Sequence, residues 1–247
     1  VHDLQRLYDE KQNELETDLI YLKRKFDCGN LDDISLKKML TIVYYYRELA
    51  EVNHCNIISS ECWTGITVGW GANPCLAMSL LADEGIYVTC EWDIHMTITN
   101  VLLLSAARGK AVPLQGEFTC RHPENDNAEL LWHCGVFPLS NCANGEKPYL
   151  YNTKPSFKGK EGEYTIARFQ ADAGNYYLFC DKFHTTDGPK TFGTYLWAQF
   201  EDLPKLERKL IDGPYIHHMS EIHGDYKGAF REFSKYFDEI TFDFIDN

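Results

Sequence analysis

Residues 162–185, GEYTIARFQADAGNYYLFCDKFHT, hold two runs of alternating apolar and polar residues separated by Asp172-Ala173-Gly174-Asn175. A period of two marks a strand buried on one face, and a Gly-containing turn between two such runs predicts an antiparallel hairpin. Short β-like runs divided by Gly, Pro, Asn and Asp continue on both sides: GEFTC (116–120), ELLWHCG (129–135), GTYLWAQF (193–200) and KLERKLIDGPYIHHMSEIHG (205–224). A late helix, YKGAFREFSKYFDE (226–239), leads to a closing strand, ITFDFID (240–246). So many short strands need their edges closed, so residues 111–247 are expected to form an antiparallel β-barrel domain with a late helix.

Upstream the texture is different. Residues 1–26 carry Leu4, Leu7, Tyr8, Leu15, Leu19 and Leu22 at helical spacing among dense charges, and the pattern is already under way at Val1, as at a natural terminus or the cut end of a longer protein. Cys28-Gly29-Asn30 ends that helix, and a second, DDISLKKMLTIVYYYRELAEVN (32–53), has Asp32, Asp33 or Ser35 to cap it. HCNIISSECW (54–63) reads as a strand entering a loop, and GITVGWGANP (65–74) as a flexible or tightly turning Gly-rich connection. That connection has neither the G-x-G-x-x-G of a dinucleotide site nor the Lys-Ser/Thr of a phosphate loop. A helix (74–85), a strand IYVTC (86–90) and another helix (93–109) follow. Helices and strands in alternation predict an α/β portion over residues 1–110 with a parallel component, and hence an α+β chain overall.

A formal net charge of -13 leaves no basic footprint for phosphate backbones or anionic lipid, so neither nucleic acid nor membrane is an expected partner. No apolar run is long enough to span a bilayer, and the N-terminus lacks the basic-then-apolar order of a signal peptide, so a soluble, cytoplasmic protein is expected. Nine cysteines without any C-x-x-C pair argue against a disulfide framework or a zinc ribbon. Most are expected to be small buried side chains, with Cys90 and Cys134 the candidates for a reactive thiol.

Four places offer acid-base groups or hard-metal ligands: Glu91 with Asp93 behind the strand at 86–90, Glu117, His133, and the pair His217-His218. Each alone has an ordinary explanation, as a solvated carboxylate or a hydrogen-bonded core imidazole. Together they form a mixed carboxylate and imidazole set, which suits manganese, iron or cobalt better than thiolate-bound zinc. Two carboxylates would neutralise such an ion and offset the cost of burying Glu91.

The same residues stand in segments that resemble the L-arabinose/L-fucose isomerase family of aldose-ketose isomerases. GIYVTCEWDIHMTITNVLLL (85–104) is similar to that family's segment bearing a metal-binding glutamate, and GEFTCRHPENDNAELLWHCGVFPLS (116–140) to the stretch from the second carboxylate to the third-ligand histidine. LIDGPYIHHMSEIHGDYKGAFREFSKYFDEITFDFID (210–246) resembles the closing stretch, and SECWTGITVGWGANPCLAMSLLADEG (60–85) matches in position the segment before the first ligand. The resemblance runs from about residue 35 to the end and implies the middle and C-terminal domains of a fucose-isomerase-like protein. It implies that Glu91 and Glu117 are metal ligands and the catalytic acid-base pair, with His133 and His218 completing the ligands of a divalent ion, Mn2+ first among them. Asp93 would orient the metal carboxylate or a neighbouring helix, and His217 would support a ligand or touch substrate. Trp63, Trp92 and Trp132, each beside one of these segments, either stack on the apolar face of a sugar or pack a domain junction.

The implied activity is ketol isomerisation of an L-fucose-like or L-arabinose-like aldose through an ene-diol, by a homo-oligomer, trimer or hexamer. Members of the family carry an α/β domain ahead of the opening helices, absent from this sequence, which completes the active site across a trimeric interface. Cys134-Gly135 after His133 also departs from the arabinose isomerases and points to a divergent branch. Two rival readings follow: an isomerase of a modified sugar, such as a sulfonated or deoxy hexose, and a non-catalytic metal- or sugar-binding relic.

Overall fold

The computed structural model of the protein describes residues 1–245, so Asp246, the last residue of the expected closing strand, lies outside the described residues. In chain order the elements are α1 His2–Glu10, α2 Gln12–Lys25, α3 Asp33–Val52, β1 Ile57–Ser59, α4 Cys75–Asp83, β2 Tyr87–Thr89, α5 Ile94–Ala107, β3 Leu114–Arg121 and β4 Ala128–His133. They continue with β5 Tyr149–Tyr151, β6 Lys154–Lys158, β7 Glu163–Asp172, β8 Asn175–Thr186, β9 Thr194–Gln199, α6 Leu203–Asp212, β10 His218–His223, α7 Lys227–Phe233 and β11 Ile240–Phe244. No described helix is long and apolar enough to cross a membrane. The chain divides into two compact units: Val1–Asp93 with Cys134–Gly159 and Thr191–Thr194, and Ile94–His133 with Lys160–Lys190 and the residues from Tyr195 onward.

In the first unit α3 is the central element. The Asp32 carboxylate accepts from the Ser35 amide at 2.7 Å and starts the helix. Leu36, Met39, Leu40, Val43 and Tyr46 then recur every three or four residues and are buried. Leu4 of α1 and Leu15, Leu19 and Leu22 of α2 join that cluster. The expected single helix over 1–26 is two helices, because the apolar stripe lapses at Lys11, whose backbone (φ -102, ψ 23) leaves helical geometry. β1 and β2 pair in parallel. The first part of the Gly-rich connection is not the loop expected from its composition, since Cys62–Val68 winds as a π-helix, whereas the chain does turn at Gly71 (φ 76). The Glu61 carboxylate caps it by accepting from the Thr64 amide at 2.8 Å, and also from that of Gly65.

The second unit is the antiparallel barrel that the sequence predicts. Its strands close in the order β7, β10, β3, β4, β9, β8 and back to β7, and β11 adds to β8 in parallel. The hairpin read from 162–185 is present in register from Glu163↔His184 to Asp172↔Asn175. Ala173 (φ 48) and Gly174 (φ 84) are both left-handed, as a two-residue turn of the primed type demands. Ala167, Phe169, Leu178, Cys180 and Ile222 pack outward against Leu103 and Ala107 of α5 and Phe230 of α7. The alternate residues Tyr164, Ile166, Phe179, Phe183, Leu131 and Met219 are buried on the opposite face. One expectation is corrected: KLERKLID (205–212) is not part of a β run but belongs to the helix Leu203–Asp212. Asp202 caps it, accepting from the Lys205 amide at 2.9 Å, and Pro204 lies in its first turn, where its missing N–H costs nothing.

Candidate active site

The barrel register brings three of the sequence-derived residues together. β10 lies beside β3 with His218 opposite Glu117, and β4 places Trp132 on the other side of Glu117. Glu117 Oε2 is 3.0 Å from His217 Nε2 and 3.7 Å from His218 Nε2. Neighbouring residues in a strand point to opposite faces. His217 escapes that rule because β10 begins only at His218, so both imidazoles reach one carboxylate. The Phe118 amide donates to the His217 carbonyl at 3.1 Å and fixes this corner. His218 is buried and His217 exposed, and the His133 and His218 rings are 5.9 Å apart. The donor atoms of Glu117, His217 and His218 lie within 4.8 Å of one another. One carboxylate and two imidazoles fit a divalent ion of the manganese, iron or cobalt type.

Glu221 belongs to the same neighbourhood and was not singled out from the sequence. Its carboxyl group is fully buried over Gly116, where even a methyl group would come within 2.6 Å of Oε1. Burial pushes it up to about 8, with the charge of His133 acting in the opposite sense. The available signal was the alternation in HMSEIH, which puts Glu221 on the face of buried Met219.

Beside this corner, a cavity of about 320 Å³ is lined by Phe118, Glu129, Leu210, Tyr215 and His217. Burial raises the Glu129 carboxyl to about 7, helped by Glu207 and opposed by Arg121. The folded state therefore favours protonated Glu129. That stabilisation is complete below the ordinary value of 4.5 and is lost as pH rises through about 7. The shift corresponds to about 3 kcal/mol. Denaturant titrations at pH 5 and pH 8 should show wild type losing about that much more stability than Glu129→Gln, and equal losses would disprove it.

Glu91 lies in the first unit, whereas Glu117, His133, His217 and His218 lie in the second. After β2 the chain makes a tight corner in which Glu91 (φ 60) and Trp92 (φ 55) are both left-handed without being glycine. Such residues cost roughly 1–3 kcal/mol each and cluster at functional sites. Trp63, on the π-helix, donates its indole N–H to Glu91 Oε1 at 2.7 Å. The expectation that Glu91 is a buried charge in need of neutralisation is corrected: the residue is exposed. Asp93 is half-buried, with its amide donating to the Cys90 carbonyl at 3.2 Å. Trp63 and Trp92 are exposed, whereas Trp132 packs beside Leu130, Tyr195 and Trp197. Cys62 and Cys90 Sγ are 3.1 Å apart and Cys75 and Cys134 Sγ 3.5 Å, all as free thiols. Hydrogen bonding with Cys134 and Cys62, together with burial, pushes the Cys90 thiol up, away from the thiolate a nucleophile requires.

Fold and donor set define a chain of helices and a β-barrel whose neighbouring strands β3 and β10 present carboxylate and imidazole to one another. No protein-family model matches it. Over 217 residues it is 26% identical to the sulfoquinovose isomerase of Alkalicoccus urumqiensis, covering 84% of this chain and 48% of that protein. It is 25% identical over 205 residues to the sulfoquinovose isomerases of Priestia aryabhattai and Priestia megaterium, covering 79% of this chain and 46% of each. The chain thus spans about half the length of the curated relatives it matches.

Proposed function

We propose that the chain is the part of an aldose-ketose isomerase that bears Glu117 and its two histidines, and that its substrate is a sulfonated hexose of the sulfoquinovose kind. One joint observation carries the reading: a chain similar over 84% of its length to sulfoquinovose isomerases holds a carboxylate against two imidazoles. The modified sugar thereby takes precedence over an L-fucose-like or L-arabinose-like one.

Ketol isomerisation removes a proton from the carbon next to a carbonyl and returns it to the neighbouring carbon. Both imidazoles address Glu117 Oε2, which leaves Oε1 to accept the proton from C2 and deliver it to C1. His217, at 3.0 Å, holds the carboxylate at that orientation while His218 flanks it at 3.7 Å, and a group held in place loses little freedom when substrate arrives. The family resemblance also assigns a proton-carrying role to Glu91, in the first unit. A divalent ion, Mn2+ first among them, held by Glu117, His217 and His218, would supply Lewis-acid stabilisation of the sugar oxygens.

The test is conversion of sulfoquinovose to its ketose, followed by NMR with added Mn2+, alongside fucose and arabinose. Turnover of the sulfonated sugar alone supports the reading, and failure to convert any of the three removes it. Metal content is a separate measurement. His218→Ala should lower bound manganese, by elemental analysis, more than His217→Ala does, because His218 is buried and His217 exposed. Equal occupancy in the two variants would overturn that order.

A further inference from the structure

We infer that Lys154 is the residue that receives the anionic substituent of the substrate, an inference that rests on the sulfonated-sugar reading. A sulfonate is ionised at every physiological pH, and this chain carries a net charge of -13, so its field opposes the approach of such a sugar. An isomerase whose reacting groups are carboxylates needs a local cation at the far end of the substrate.

In the first unit Lys154 stands one aromatic ring away from Glu91. Lys154 Nζ is 5.3 Å from the centre of the Trp63 ring, and the N–H of that same indole donates to Glu91 Oε1 at 2.7 Å. A single aromatic ring therefore joins an ammonium group to a carboxylate assigned to proton transfer, and its exposed face is a surface on which the apolar side of a sugar can lie. Lys154 is half-buried and forms no ion pair among the described residues, so its donors remain available to an anion.

The arrangement is rigidly supported. Lys154 opens β6 just after a turn in which Asn152 (φ 47) and Thr153 (φ 65) are both left-handed. The Asn73 amide donates to Thr153 Oγ1 at 2.6 Å and to the Asn152 carbonyl at 3.2 Å. Asn73 Oδ1 in turn accepts from Thr67 Oγ1 at 3.2 Å, and Thr67 belongs to the π-helix that carries Trp63. One asparagine thus fixes the turn bearing the cation to the helix bearing the ring. π-Helical turns recur at functional sites, where the extra residue per turn redirects a side chain.

Lys154→Met and Lys154→Arg test this with two readouts on the folded protein, steady-state kinetics and calorimetric binding of sulfoquinovose, with glucose as the uncharged counterpart. Removing the charge should raise KM and Kd for the sulfonated sugar about tenfold or more, the loss of one charge-assisted hydrogen bond, while the arginine stays within about threefold of wild type. The loss should fall on KM rather than kcat, and glucose binding should not respond to either variant. Lys154→Met with wild-type KM and Kd for sulfoquinovose would overturn the assignment while leaving the isomerase reading intact. Wild type that binds sulfoquinovose through Lys154 without converting it would support the assignment and remove the isomerase reading instead.

Discussion

Glu117→Gln is expected to lower kcat/KM for sulfoquinovose isomerisation by about 10²–10⁴-fold, the range that general acid-base catalysis contributes. The substitution preserves shape and keeps an oxygen that can accept from His217, so the corner between β3 and β10 should hold together. What it removes is the basicity needed at the second oxygen to take a proton from carbon. Near-ultraviolet circular dichroism should match wild type, since Glu117 is half-buried and not part of the barrel core. A variant retaining more than about a tenth of wild-type kcat/KM would show that Glu117 does not carry the proton. His217→Ala should have a smaller effect, because it releases the carboxylate without removing it.

Gly135→Ala is expected to cost several kcal/mol of stability for reasons unrelated to chemistry. Gly135 has φ 132, a conformation essentially closed to residues with a side chain. A methyl group there would also come within 2.7 Å of the Pro155 carbonyl oxygen and 3.0 Å of the Pro155 nitrogen. Both obstacles are backbone, which cannot swing aside as a long side chain can. Strain of roughly 1–3 kcal/mol and overpacking of roughly 1–3 kcal/mol then act together. For a chain of this size that is a fall in melting temperature of about 10 °C. A fall of only a degree or two would mean that the β5–β6 hairpin shifts freely, contrary to the clamp on its turn.

The barrel was legible because its signals are local. Alternation in 162–185 and the Ala173-Gly174 turn follow from period and backbone freedom alone, and one correctly read hairpin fixes the character of the sheet. α6 was obscured because Leu206 and Leu210 sit among charges within a stretch that also holds the genuine strand at His218. Its sign was the cap, Asp202 with Pro204 behind it. The π-helix at Cys62–Val68 had no comparable sign, since an i to i+5 pattern is stabilised by the capping carboxylate of Glu61 and by packing, not by composition. Glu117, His217 and His218 were singled out as residue types. Their convergence depends on strand register and on where β10 begins, which the sequence does not display. The left-handed backbone at Glu91 and Trp92 is likewise invisible, because neither residue prefers it.

The two compact units are interleaved along the chain, which passes between them at 93/94, 133/134, 159/160, 190/191 and 194/195. Val136 and Leu150 belong to the same buried cluster as Leu15, Leu36 and Met78. As the polypeptide leaves the ribosome, the opening helices must therefore wait for more than a hundred further residues before their core is complete. Until then they present apolar surface that chaperones recognise. Stop codons near residue 110 should yield insoluble material, not a free-standing helical module, and protease nicks should release neither unit intact.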